Sequence, residues 1–187
     1  MKKSIYIFFV YLNMNGFLYA GEVIHSHINN DGDRFVLHLE MRIDADYDSV
    51  YSTLLDFDNL KYLSDTIIES ELLDSQDNLH ITYVRSEGCI LFFCQSVVQN
   101  STVTELGKGL ITAVIDPNKS DLRFGEISWQ VIDEGETTII INDVDIIPDF
   151  WVPPLIGSYF FKQRLIEEGE KLINGIENVF VGDEEND

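Results

Sequence analysis

The sequence predicts an α+β fold in which an antiparallel β-sheet curls around one long C-terminal α-helix. From Val23 to Ile147, apolar and polar residues alternate in runs separated by turn residues, which is typical of consecutive antiparallel strands. The period then becomes helical, with the residues of one stripe recurring every three to four positions: Phe161, Leu165, Gly169, Leu172, Ile176 and Phe180. A chain of 187 residues is long enough for one domain with a core and short for two.

The first twenty residues have the three-part pattern of a secretory signal peptide. Lys2 and Lys3 precede an apolar run from Ile5 to Leu12, and the segment ends with a small residue at Ala20. The run is shorter than the roughly 20 apolar residues that a membrane span needs. We therefore expect a periplasmic or secreted protein with a cleaved signal peptide and a mature N-terminus at Gly21.

Within the domain, expected at residues 21–181, the elements follow in order. Val23–Ile28 and Phe35–Ile43 form a predicted hairpin, and Asp46 or Asp48 is expected to cap a short helix that contains Val50. A helical turn at Asn59–Leu63 is expected next. The later strands are predicted at Thr66–Leu73, Leu79–Ser86, Ile90–Thr104, Leu110–Ile115, Leu122–Ile132 and Thr137–Ile147.

The last helix is expected to start near Pro153 and Pro154 and to end at Gly182. Residues 182–187 then form an acidic tail that we expect to be disordered. The net charge of −21 argues against nucleic acid as a partner, because a polyanion would be repelled. The sequence contains no nucleophile motif and no phosphate-binding glycine loop, and no cofactor is predicted.

Several local strings resemble the START-like helix-grip superfamily, which includes polyketide cyclases, Bet v 1-like proteins and coenzyme Q-binding proteins. They are Ile43–Ala45 before the first helix, Leu55–Asp58 after it, Ser128–Trp129, and the junction Asp149–Gly157. The resemblance covers residues 22–180, although relatives tend to have glycine where this chain has Ile127. It implies a cavity between the sheet and the last helix, but no particular reaction.

This resemblance implies binding or transfer of an apolar small molecule, such as a lipid, a quinone or a polyketide-like compound. One alternative is a cyclase or dehydrase that uses Tyr83, Arg85 or Asn142 as polar groups in the pocket. A second is a non-catalytic interaction module whose cavity is filled by its own side chains. A cavity in the structure would separate the second alternative from the other two.

The strand patterns suggest which residues face this cavity. Alternation places Arg85 on the apolar face of Tyr83, and Arg123 on the face of Trp129. An inward guanidinium would bind the anionic head group of a ligand. The alternative is that both arginines lie at strand ends and pair with local acids. Gly169 either widens the cavity or allows close helix packing. The predicted ligand-binding residues are Tyr83, Arg85, Arg123, Trp129, Asn142, Phe161, Leu165 and Gly169.

The apolar junction before the last helix includes Phe150, Trp151 and Phe160. It either contacts a membrane or a protein partner transiently, or simply covers one end of the core.

Cys89 and Cys94 are the two cysteines of the chain. An exported protein tends to oxidise them. On a straight strand, however, they would lie about 16 Å apart, whereas a disulfide needs Cα atoms within about 7 Å. A bond therefore requires a turn between them, which Gly88 allows, and both states remain open.

The first hairpin raises the hypothesis of a surface metal site. If Asp31 and Gly32 are its central turn residues, His25 lies opposite His38. Imidazole and carboxylate groups are ligands for Zn²⁺ or Cu²⁺, and the wet face would carry His25, His27, His38 and Glu40. The alternative is an exposed polar face without a ligand. The site also depends on the strand register, because a slip of one residue moves the histidines apart.

Overall fold

The computed structural model describes residues 21–90, 93–152 and 158–184. The predicted signal peptide lies outside these residues. The strands are β1 (Glu22–Asp31), β2 (Arg34–Ile43), β3 (Ile67–Gln76), β4 (Leu79–Ile90), β5 (Phe93–Gly107), β6 (Leu110–Ile115), β7 (Leu122–Asp133) and β8 (Thr138–Pro148). The helices are α1 (Tyr47–Leu55) and α2 (Ser158–Glu184), with a 3₁₀ turn at Leu60–Tyr62. Among the described residues, no helix is both long and apolar enough to cross a membrane.

All strands belong to one antiparallel sheet with the order β1-β2-β8-β7-β6-β5-β4-β3. Strands β3 to β8 are neighbours in chain order, as predicted from their short connections. The first hairpin joins this meander through β2, which pairs with β8. Helix α2 contacts β1 and β2 on one side and β4 on the other, so the sheet curls around it.

Local signals explain most element boundaries. Helix α1 begins after Asp46, whose carboxylate accepts a hydrogen bond of 3.0 Å from the backbone N–H of Ser49. Several boundaries differ from the prediction. Strand β4 continues to Ile90, and β5 begins at Phe93 instead of Ile90. The first hairpin turns at Gly32 and Asp33, because Gly32 adopts a φ of 66° that favours glycine. Helix α2 continues through Gly182 to Glu184, so the start of the predicted disordered tail is helical.

The core is densest where α1, the 3₁₀ turn and the C-terminal half of α2 meet β2, β7 and β8. Its buried members are Leu39, Met41, Ile43, Val50, Leu63, Val131, Ile140, Ile173 and Ile176. A second cluster beneath α1 contains Phe57, Val103, Ile111 and Ala113. Both clusters lie toward the α1 end of the sheet, and this position determines where a cavity remains.

Candidate ligand cavity

The cavity lies where the inner face of the sheet extends beyond the dense core. On β2, the inner residues Leu39, Met41 and Ile43 pack in the core, whereas Phe35 and Leu37 line the cavity. Strand β8 shows the same division, since Ile140 is in the core and Ile146 lines the cavity.

The cavity has a volume of about 290 Å³. This value lies just below the roughly 300–1,000 Å³ that is common for ligand pockets. Its lining is mainly apolar, and the apolar side chains come from four strands and the chain after β8: Phe35, Leu37, Phe93, Val97, Leu122, Ile146, Pro148 and Phe150.

Uncharged polar side chains from β4 and β5 also line the cavity. Ser86 lies directly opposite Val97, and Gln95 and Gln99 flank Val97 on the same face. The amide nitrogen of Gln95 donates to the backbone carbonyl of Ser96 at 2.9 Å. Within the described part of the chain, the side chains of Gln99 and Ser86 have no hydrogen-bond partner, so both are available to a ligand.

Charged groups at the mouth are already paired with one another. The guanidinium of Arg164 lies 3.0 Å from carboxylate oxygens of Glu167 and of Glu168. Glu168 also accepts hydrogen bonds of 2.8 Å from the Ser64 hydroxyl and 2.7 Å from the Thr66 hydroxyl. This network holds the beginning of α2 against the segment before β3.

A wider, more open pocket of about 570 Å³ adjoins the mouth and shares Thr66, Glu87, Gly88, Cys89, Gln95 and Arg164 with the cavity. Cys89 and Cys94 both line it, and they form a disulfide with Cα atoms 4.0 Å apart. The bond is possible because β4 and β5 form a hairpin in which these residues are directly opposed. Of the alternatives left open by the sequence, the structure therefore has the bonded form.

The aromatic residues of the predicted contact surface differ in their surroundings. Phe150 lines the cavity. Trp151 is 70% exposed and meets the edge of Phe93 with ring centroids 6.5 Å apart. The side chain of Phe160 lies outside the described part of the structure.

The prediction that Tyr83 and Arg85 face the cavity is wrong. The inner face of β4 carries Ser86 and Gly88, and Tyr83 and Arg85 point to the outer face, where both contact Glu69. Glu87 and Cys89 reach the cavity only at its rim. Arg85 pairs with Glu69 at 3.0 Å and with Glu87 at 2.7 Å. The alternative of pairing with local acids therefore holds for Arg85.

The prediction for Arg123 is also wrong. A β-bulge between Leu122 and Phe124 breaks the alternation of β7, so Leu122 faces inward. Arg123 is 52% exposed and pairs with Asp33, and its Nε donates to the carbonyl of Pro148 at 3.1 Å.

Four other predicted ligand residues face inward but do not belong to the described lining of this cavity: Trp129, Asn142, Leu165 and Gly169. Trp129 and Leu165 pack against the core clusters. The amide of Asn142 donates to the carbonyl of Ser128 at 3.1 Å. A Cβ at Gly169 would lie 3.0 Å from Leu39, so this glycine allows close helix packing instead of widening a cavity. The side chain of Phe161 is not among those that the structure describes.

The predicted metal-binding residues share one face of the first hairpin, but they form no metal-binding group among the described residues. The shifted turn places His27 directly opposite His38 and His25 opposite Glu40, and the ring centroids of His25 and His38 lie 5.8 Å apart. The Nδ1 atom of His38 instead lies 2.7 Å from a carboxylate oxygen of Asp143. Among the described residues there is no group of three or more His, Cys, Asp or Glu side chains that could hold a metal ion.

A separate polar network lies at the other end of β4, about 20 Å along the strand from Ser86. Glu105 accepts a hydrogen bond of 2.8 Å from the Tyr51 hydroxyl and lies 2.9 Å from Nε2 of His80. Burial opposes ionisation of Glu105, but the hydrogen bonds from His80 and Tyr51 outweigh it and lower the pKa of Glu105. Burial and the bond to Glu105 raise the pKa of Tyr51. The network joins α1 to β4 and β5.

An antiparallel sheet curled around a C-terminal helix, with a cavity between them, defines the START-like helix-grip fold, and this chain has that fold. A START superfamily protein from Mycobacterium smegmatis matches with 17% identity over 76% of this chain and 94% of its own, at a TM-score of 0.60. The Zhui aromatase/cyclase from Streptomyces sp. R1128 matches with 9% identity over 78% and 92%, at a TM-score of 0.61.

A STAR-related lipid transfer protein from Xanthomonas axonopodis matches with 16% identity over 82% of this chain and 97% of its own, at a TM-score of 0.53. At these identities the similarity is one of fold. No family model matches the sequence, and the comparison with curated proteins finds no relative.

The sequence contained one signal for the cavity residues that the prediction missed. Gln95, Val97 and Gln99 are spaced two residues apart, so two amides and an apolar side chain lie on the same face of β5. Such a mixed face is ambiguous by pattern alone, because exposed faces also carry glutamine.

Proposed function

We propose that this protein binds or transfers an apolar small molecule in the cavity between its sheet and α2. The observation that carries the proposal is the apolar lining from Phe35, Leu37, Val97 and Ile146, combined with the free polar groups of Ser86 and Gln99. Ligand sites of this type combine an apolar wall with a few polar groups that orient the ligand. The open cavity favours this function over an interaction module whose interior is filled by its own side chains.

Two of the fold neighbours have names that agree with this proposal, one as a lipid transfer protein and one as an aromatase/cyclase. The cyclase alternative has less support in this chain. It relied on Tyr83 and Arg85, which point away from the cavity, and on Asn142, whose amide is bonded to the backbone. Lipid, quinone or polyketide-like ligands all remain within the proposal.

We also propose that the protein acts outside the cytoplasm, in the periplasm or after secretion. The signal-peptide pattern of the first twenty residues supports this location. The disulfide between Cys89 and Cys94 agrees with an oxidising compartment.

The direct test is native mass spectrometry, with lipid extraction, of protein purified from its own compartment. We expect a bound apolar compound that is released on unfolding. A protein that is empty and also fails to bind any environment-sensitive apolar dye would refute the proposed function.

The substitution Gly88→Leu should fill part of the cavity and thereby test whether the ligand binds there. Gly88 lines the cavity, and a Cβ added there meets no heavy atom within 4 Å, so leucine fills space without a backbone clash. We expect dye affinity to fall about tenfold while the melting temperature stays unchanged. The control is Thr102→Leu, which adds a similar side chain on the outer face of β5, opposite the exposed Val114. Equal dye binding by both variants would place the ligand elsewhere.

A further inference from the structure

The polar groups inside the cavity are uncharged, whereas the charged groups lie at its mouth. Ser86 and Gln99 offer a hydroxyl and a free amide beside the apolar wall. These groups can donate to and accept from an alcohol, a ketone or an amide. Binding such a group satisfies the hydrogen-bonding groups of Ser86 and Gln99 without the cost of burying a net charge.

The charges at the mouth sum to a negative value. The cavity and the adjoining pocket are lined by the carboxylates of Asp65, Glu87 and Glu168 and by one basic side chain, Arg164. These groups have further ion-pair partners, because Arg85 pairs with Glu87 and Glu69, Lys171 pairs with Asp65 and Glu168, and Arg164 also pairs with Glu167. With these partners included there are three cations and five carboxylates, so the sum is three minus five, or −2. A hydrogen bond from Lys171 lowers the pKa of Asp65, so this carboxylate stays ionised at neutral pH.

The guanidinium of Arg164 is not free to receive an anionic head group. It is held between Glu167 and Glu168, at 3.0 Å from each. A ligand carboxylate would have to displace these partners and leave Glu168 with one charge-assisted bond fewer. It would also approach a rim that is already negative.

We propose that the cavity selects uncharged amphiphiles, such as alcohols, ketones or amides with an apolar body, over anionic ones such as fatty acids. This inference rests on the proposed function and specifies its ligand class. The uncharged head group lies against Gln99 and Ser86, and the acidic mouth disfavours carboxylates.

The test compares three probes that share one alkyl chain: decanol, decyltrimethylammonium and decanoate. Each displaces an environment-sensitive apolar dye from the full domain at about pH 8, where decanoate is ionised. We expect decanol to bind at least about tenfold tighter than decanoate, with the cation between them. The cation controls for the general cost of desolvating a charge. Decanoate binding as tightly as the cation would overturn the inference.

Two variants separate the contributions of the head group and of the mouth. Gln99→Leu should weaken decanol about three- to tenfold after each displacement is corrected for the dye affinity of that variant. Glu87→Gln should tighten decanoate about threefold and leave decanol unchanged. The control Glu71→Gln removes a charge from the outer face of β3, opposite Tyr83, and should change neither. If the dye binds but these shifts are absent, the head-group inference fails alone; if the dye does not bind, the proposed function fails as well.

Discussion

At the scale of single residues, two glycines of α2 differ in how much room their surroundings leave for an added methyl group. Gly175 faces the 3₁₀ turn, and a Cβ there would lie 2.5 Å from the carbonyl oxygen and 2.7 Å from the Cα of Leu63. Gly169 faces side chains instead, with Leu39 Cδ2 at 3.0 Å and Val23 Cγ2 at 3.1 Å. A backbone cannot yield to an added methyl group as readily as the end of a flexible side chain.

We predict that Gly175→Ala lowers the free energy of unfolding by about 1–3 kcal/mol, because the added methyl group overpacks a rigid contact. Gly169→Ala is the matched comparison in the same helix. Both substitutions gain about 1 kcal/mol of helix propensity, and at Gly169 this gain should roughly offset the tighter packing. Urea denaturation measures both values. A Gly175→Ala protein as stable as Gly169→Ala would contradict the packing described here.

At the scale of elements, the β4–β5 hairpin shows what the sequence could and could not predict. Alternation groups the odd-numbered residues of β4 on one face, but a period of two does not say which face is inner. The odd face, with Ile81 and Tyr83, is the more apolar by sequence and is the outer one. On the even face, His80 contacts Glu105 and Ser86 lines the cavity.

The remaining errors of prediction also concern which face of a strand points inward, or which residues of two strands lie opposite each other. Elements with strong local sequence signals were predicted correctly. The position of the Asp46 cap and the long helical stripe of α2 follow from local chemistry, and the structure has both. The bulge at Arg123 reverses a face without any local residue that predicts it. The position of the first turn depends on Gly32, and a one-residue error there changed the histidine opposite His38 from His25 to His27.

The disulfide is expected to stabilise the hairpin that forms the cavity mouth. The bond joins residues five apart in sequence, and closing so short a loop is worth about 2 kcal/mol in the chain-entropy model. We predict that the double variant Cys89→Ser, Cys94→Ser loses about this free energy of unfolding and releases bound dye faster. Both cysteines are exposed, so a dithiol reductant should reproduce the effect in the unchanged protein and have none on the double variant. A reductant effect of equal size in both proteins would exclude the disulfide as its cause.

At the scale of the whole molecule, the start of the described chain is fixed to its last helix. The backbone nitrogen of Gly21 donates to Oε1 of Glu177 at 2.8 Å, and the same oxygen accepts from the backbone N–H of Asp44 at 2.9 Å. A Cβ on Gly21 would lie 2.5 Å from the carbonyl oxygen of Arg42 and 2.6 Å from Ile173 Cγ2. Only glycine fits this position without a shift of its surroundings.

If cleavage follows Ala20, as the signal-peptide pattern predicts, the nitrogen of Gly21 becomes an ammonium group beside the carboxylate of Glu177. A charge-assisted hydrogen bond is roughly twice as strong as a neutral one. We therefore predict that protein beginning at Gly21 is about 1 kcal/mol more stable than protein that retains Ala20, in which this nitrogen is a neutral amide. Intact mass of protein from its own compartment should first identify Gly21 as the N-terminus.

A double-mutant cycle then tests the pairing itself. The two N-termini are combined with Glu177 and with Glu177→Gln, and urea denaturation gives the four free energies of unfolding. Glu177→Gln should cost more in the protein that begins at Gly21 than in the one that keeps Ala20, because only the former loses an ion pair. Asp44 keeps a hydrogen-bond acceptor in both variants, so its contribution cancels in the cycle. An equal cost in the two backgrounds would mean that the charge created by processing adds nothing to this contact.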